Sequence, residues 1–123
     1  MRTLASSNDL DELLAADAAL LFKNSMTCPI SAAAREEVEV LLSRRPEAPL
    51  YVLDVHRAAD LSEDVVRRTG IEHESPQMIL FARGEPMWQA AHYSIRAADV
   101  ERALDERSAV GGRRSARRGD RRA

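Results

Sequence analysis

Short apolar runs alternate with amphipathic stretches along this chain, and their spacing predicts most of its elements. In "NDLDELLAA" (8–16), Leu10, Leu13 and Leu14 recur at helical intervals, with Ser7 or Asn8 as the cap. The run "AALLFK" (18–23) is apolar throughout until it ends in a polar turn, which suits a buried strand. From Pro29 the pattern is helical again: Ala33, Val38, Val40, Leu41 and Leu42 recur among Arg and Glu, and Pro46 lies beyond the end. "PLYVLDV" (49–55) reads as a strand buried on both faces. "ADLSEDVVRRTGI" (59–71) reads as a short helix with Ser62 as its cap, Val65 and Val66 inward and Gly70 as a left-handed C-cap. "QMILFA" (77–82) and "PMWQAAH" (86–92), joined by "RGEP", form a hairpin in which Gly84 supplies the turn. A last helix in "SIRAADVERALDER" (94–107) sets Ile95, Val100, Ala103 and Leu104 on one face, with Ser94 as cap.

The resulting order is α-β-α-β-α-β-β-α. Two strands separated by a full helix run parallel, whereas the two strands of a hairpin are antiparallel. The predicted class is therefore α/β: a four-stranded mixed sheet flanked by helices, with an N-terminal helix, which is the thioredoxin-like layout.

Length and charge refine this picture. The chain has 123 residues, enough for one modest core. A thioredoxin-like domain is expected over residues 1–107, followed by a disordered arginine-rich tail over 108–123. Within that tail, "GGRRSARRGDRRA" sets six arginines against Asp120, so the formal net charge of -2 hides an acidic body. An acidic body argues against nucleic acid as the main partner, and only the tail offers an anion a contact. No apolar run is long enough to cross a membrane, and the acidic, polar start does not read as a secretory signal, so a cytoplasmic location is expected.

Cys28 is the only cysteine. An internal disulfide is excluded, no metal site is expected, and any redox partner sulfur must come from outside. In the expected layout Cys28 lies between a core strand and a helix, and Pro29 suits the first helical turn. The free N–H groups and dipole of that helix end favour an anion, which lowers the thiol pKa from its ordinary value of about 8.5. Thr27 and Ser31 can add hydroxyl donors, and Lys23 a positive charge. Further along, Ser75-Pro76 directly precedes a strand. In a thioredoxin-like layout this proline is expected to be cis and to face the cysteine, with Ser75 offering its backbone to an incoming disulfide.

"TCPIS" after "LLFKNS", with "YVLDVHRAADLS", "RTGIEHESPQMILFARGE" and "AHYSI", resembles the monothiol bacilliredoxins over roughly residues 10–104. The resemblance implies thiol exchange with bacillithiol as co-substrate and no bound cofactor. Cys28 would be the nucleophile, and Thr27, Pro29, Ser31, Ser75 and Pro76 would line the substrate site. The implied partners are bacillithiolated client proteins and free bacillithiol. Ser31 stands where a dithiol thioredoxin has its resolving cysteine, which suits a one-thiol mechanism.

Other residues have plainer readings. His56, His73 and His92 sit near strand ends, Trp88 and Tyr93 read as packing and an exposed aromatic, and Arg67-Arg68 as a solvated helix face. Glu36, Glu37 and Glu39 read as the wet side of a helix. Two alternatives to exchange are a non-catalytic thioredoxin-like binding module and an iron–sulfur carrier of the monothiol-glutaredoxin kind, whose CGFS pattern is absent. A thiol peroxidase lacks any Arg or Thr arrangement tied to peroxide.

Overall fold

The structure, a computed structural model, describes residues 1–25 and 29–116, with side chains described to Arg107. Its elements are β1 (Arg2–Thr3), α1 (Ser7–Ala15), β2 (Ala19–Asn24), α2 (Pro29–Arg44), β3 (Leu50–Asp54), α3 (Ala59–Thr69), β4 (Gln77–Ala82), β5 (Glu85–Ala91) and α4 (Ala97–Ala116). A 3-10 turn, His92–Ser94, links β5 to α4.

The sheet has five strands in the order β1-β3-β2-β4-β5, not the expected four. The added strand β1 runs parallel to β3, pairing Arg2 with Tyr51 and Thr3 with Val52. Two residues are too short to show a period of two, so nothing in the sequence pattern announces it. The rest of the sheet follows expectation: β2 is parallel to β3 and antiparallel to β4, and β4 to β5 is a hairpin.

Every residue of β2 is buried, because both faces of the sheet are covered. On one face Leu21, Leu53 and Ile79 pack with Leu10 and Leu13 of α1 and Val65 of α3. On the other, Phe22 and Leu80 pack with Val38 and Leu41 of α2 and Val100 of α4. Residues alternating along one strand thus feed two separate cores. At the hairpin, Arg83 and Gly84 have φ of 51° and 83°, the pair of left-handed residues a two-residue turn of type I′ requires. A Cβ on Gly84 would also meet the Leu14 carbonyl oxygen at 3.1 Å.

The helix ends depart from expectation in three places. The cap of α1 is Ser6, whose Oγ accepts from the Asp9 N–H, rather than Ser7 or Asn8. Ser62 is buried inside α3, and its cap position is Ala58 without a side-chain bond. Gly70 ends that helix in the left-handed conformation, as expected, while Val66 is only half-buried. Ser94 lies in the 3-10 turn, and α4 starts at Ala97, whose N–H donates to Glu37 Oε1 of α2 at 2.8 Å. Glu37 is therefore a cap supplied across a helix pair, not simply part of a wet face. Helix α4 continues to Ala116, and residues 117–123 of the expected tail lie outside the described residues.

Losing a helix cap costs about 1 kcal/mol. Glu37→Ala is expected to lower the urea-unfolding free energy by about that amount, and an unchanged midpoint would show that the α2–α4 contact does without it.

Candidate functional site

The register of β2 against β4 sets Lys23 opposite Gln77. Continued past that pair, the antiparallel geometry carries the residues after Lys23 alongside Ser75 and Pro76. The Ser75–Pro76 bond is cis, as expected. Pro29 opens α2 at the same end of the sheet, exposed, while Ser31, two residues on in the first turn, is fully buried. The end of β2 and the cis-proline segment therefore lie side by side, and Pro29, Ser31, Ser75 and Pro76 fall at one end of the sheet. Thr27 and Cys28 lie outside the described residues.

The residues bounding that junction are held from several sides. The Ser25 N–H donates to Ser31 Oγ at 3.3 Å, tying the end of β2 to the first turn of α2. Ser31 thus anchors the backbone where the sequence suggested a hydroxyl donor beside the thiol. Arg35, one turn further along α2, donates through Nη1 to Asn24 Oδ1 and to the Ser25 carbonyl, both at 3.4 Å. His56 Nε2 lies 2.9 Å from Ser25 Oγ. Its loop is shaped by Asp54 Oδ1, which accepts from the backbone N–H groups of His56 and Arg57 at 3.0 and 3.2 Å. Arg35 and His56 are contributions the sequence reading missed or set aside. The signal for Arg35 is its i+4 spacing from Ser31, and for His56 an aspartate at a strand end, which favours such a turn.

The cis-proline segment has its own clamp. Gln77 is buried; its Nε2 donates to the Glu72 carbonyl at 3.3 Å and to Gln89 Oε1 at 3.0 Å, and its Oε1 accepts from the Glu74 N–H at 3.3 Å. The His92 N–H donates to the Pro76 carbonyl at 3.0 Å, and its ring Nε2 lies 3.3 Å from Glu74 Oε1. His92 reaches this position with φ at 57°, a left-handed conformation uncommon in non-glycine residues. Beside it, an open groove of about 640 Å³ runs between α2 and the start of α4, lined by Ala33, Glu37, His92, Tyr93 and Arg96 among others.

Lys23 is fully buried, and its Nζ has no hydrogen-bond partner among the described residues. Burial pushes its pKa from 10.5 down to about 8, against the opposing pull of Glu74. The His73 pKa is lowered from its ordinary value, first by burial and then by the Lys23 charge. Ser75 Oγ is likewise buried without a partner among the described residues.

The discounted residues largely keep their plain readings. Trp88 packs partly buried against the α2–α4 core and Tyr93 is exposed. Arg67 pairs with Asp64, and Arg68 with Asp11 at 2.7 Å. Among the described residues no cluster of three metal-ligating side chains occurs, and no helix is long and apolar enough to cross a membrane.

Comparison with known proteins bears on this arrangement. The family model for monothiol bacilliredoxin BrxC matches residues 2–100. A solved structure described as "a putative oxidoreductase with a thioredoxin fold" is 31% identical, with a TM-score of 0.77 over 84% of this chain and 92% of that one. Mitochondrial thioredoxin 3 of Saccharomyces cerevisiae superposes with a TM-score of 0.68 at 12% identity, covering 86% of this chain and 94% of that one. Fasciola hepatica thioredoxin gives 0.68 at 15% identity, over 87% and 99%. The last two share the fold alone.

The buried lysine makes stability depend on pH. Below about pH 8 the lysine is charged both folded and unfolded, so the cost of burying it is fully present. Between that value and 10.5 the unfolded chain holds more protons, so stability rises with pH. Lys23→Met is expected to be more stable than the wild type at pH 7, by roughly 2–3 kcal/mol. Urea unfolding at a series of pH values should show that gap closing as pH approaches 10.5; parallel curves would show that Lys23 carries no such burden.

Proposed function

The chain belongs to the monothiol bacilliredoxin family, and on that footing we propose that Cys28 removes bacillithiol from protein mixed disulfides. The observation that carries the reading is the cis-proline segment aligned with the junction in which the chain's sole cysteine falls. A backbone presented at that segment can hold an extended, disulfide-bearing client. A thiolate at the junction then meets the disulfide in line.

The Cys28 thiolate attacks the bacillithiol sulfur of the mixed disulfide. A bond forms between those two sulfurs as the bond to the client sulfur breaks, and the client leaves as a thiolate that takes a proton from solvent. A second bacillithiol, as thiolate, attacks the sulfur of the first bacillithiol, and the bond from that sulfur to Cys28 breaks with Cys28 leaving as thiolate. Bacillithiol disulfide departs and Cys28 is free again. The client is reduced at the expense of one bacillithiol, and the protein returns unchanged.

In this scheme Pro29 opens the helix whose end favours the thiolate, and Ser31 cannot attack the adduct, so the second thiol comes from solution. Ser75 and Pro76 receive the client, Thr27 adds a hydroxyl beside Cys28, and the groove by His92 and Tyr93 has room for the body of the small thiol. Bacillithiol is a co-substrate and no cofactor is bound. Such a cycle needs a compartment that keeps low-molecular-weight thiols reduced, which is the cytoplasm.

Intact-mass spectrometry of the reduced protein mixed with a bacillithiolated client tests this directly. One bacillithiol adduct on the wild type, with an equal amount of client thiol released, is expected, and none on Cys28→Ser. Bacillithiol remaining on the client while Cys28 stays free would sink the exchange reading and favour a non-catalytic binding module.

A further inference from the structure

Strand β5 stops pairing at Ala91, opposite Gln77, and the chain turns out of the sheet at the next residue. That residue is His92, with φ at 57°. Glycine enters this left-handed region freely, whereas a side chain with a Cβ is strained there. Among the described residues one other non-glycine has a positive φ, Arg83, and its hairpin turn demands it. No hairpin lies at His92. A glycine would make the same turn without strain, so the histidine side chain is kept against the preference of its own backbone.

The contacts of His92 supply a reason. Its N–H donates to the Pro76 carbonyl at 3.0 Å, and its ring Nε2 lies 3.3 Å from Glu74 Oε1. One residue thus holds the chain on both sides of Ser75. Ser75 is half-buried, and among the described residues neither its backbone nor its hydroxyl forms a hydrogen bond. The Glu74 N–H is tied to Gln77 Oε1 at 3.3 Å, while the ring of His92 is the one ionic contact of its carboxylate among the described residues. The bond to Pro76 would survive a glycine at this position. The contact with Glu74 would not, and it is what the histidine contributes beyond a turn.

We propose that His92 is a positioning residue for client binding, holding Glu74 and Pro76 so that the backbone of Ser75 between them meets the incoming chain in one orientation. The inference rests on the reading above in which Ser75 and Pro76 receive the client, and it names what holds that receiving edge. No bond forms or breaks at His92. A segment ordered beforehand spares the client the entropy of ordering it, so the benefit falls on affinity and not on the sulfur step. The two side chains are 47% and 43% exposed, so water screens the contact and its effect is modest.

The test compares wild type, His92→Gly, Glu74→Gln and the double variant, each in the full chain. His92→Gly keeps the turn and its N–H and removes the ring. Thermal melts confirm folding, and Glu74→Gln carries the test if His92→Gly does not fold. The probe is one cysteine-containing peptide, presented as its mixed disulfide with bacillithiol and, separately, with free cysteine. Either single variant should raise KM by about two- to fivefold with kcat unchanged, and the double variant should be no worse than His92→Gly. An unchanged KM, a loss confined to kcat, or additive losses in the double variant overturns the inference while leaving bacillithiol transfer intact. Reaction with the cysteine disulfide alone, with the same dependence on His92 and Glu74, sustains the positioning role and removes only the bacillithiol assignment. If the wild type reacts with neither disulfide, the exchange reading falls and takes this inference with it.

Discussion

The antiparallel register between β2 and β4, Lys23 opposite Gln77, is the constraint on which the rest of the molecule depends. It joins a parallel β-α-β half to a hairpin half along one edge. A shift of one residue would turn every side chain of β2 over, exchanging Leu21 with Phe22 between two filled cores. Because both cores are packed, the register is fixed by burial on two faces at once. The cis-proline segment then has one place to lie. The placement of that segment is a by-product of core packing.

Around that register the polar groups form two clamps with different duties. Ser31, Arg35 and His56 fasten the end of β2 to α2 and to the loop after β3. Gln77 and His92 fasten the segment ahead of β4 to the hairpin. Each clamp uses backbone groups as well as side chains, so the two segments are held by several weak bonds rather than one strong one. Lys23 lies where these clamps adjoin. It is the least comfortable residue of the core, a fully buried cation whose Nζ has no hydrogen-bond partner among the described residues.

Most of the architecture was legible in the sequence because the apolar runs are long enough to show their period. The layout, the parallel and antiparallel pairings, the turn at Gly84 and the C-cap at Gly70 follow from such local signals, whereas the cis bond at Pro76 was expected only from the thioredoxin-like layout they add up to. What was not legible has a common cause. Strand β1 exists only because Arg2 and Thr3 find a free edge on β3, and Glu37 caps α4 only because two helices distant in sequence lie side by side. Ser94 and Ser62 looked like caps by type and local position, yet packing moved the helix starts away from them. Of the candidate site, the sequence pointed to Pro29, Ser31, Ser75 and Pro76, which the fold sets at one end of the sheet. The partners that hold them, Arg35, His56 and Gln77, were not legible, since their bonds are tertiary.

The two outer edges of the sheet carry a consequence of their own. Edge β1 offers only two residues, and edge β5 carries Pro86, which has no N–H to give, beside an irregularity in register at Leu80 and Phe81. Neither flank is a good template for another strand. An extended polypeptide looking for backbone partners is turned away from both sides and left with the end of the sheet, where Ser75 and Pro76 lie. The blunted flanks that discourage self-association thus also narrow the approach of any guest to a single direction.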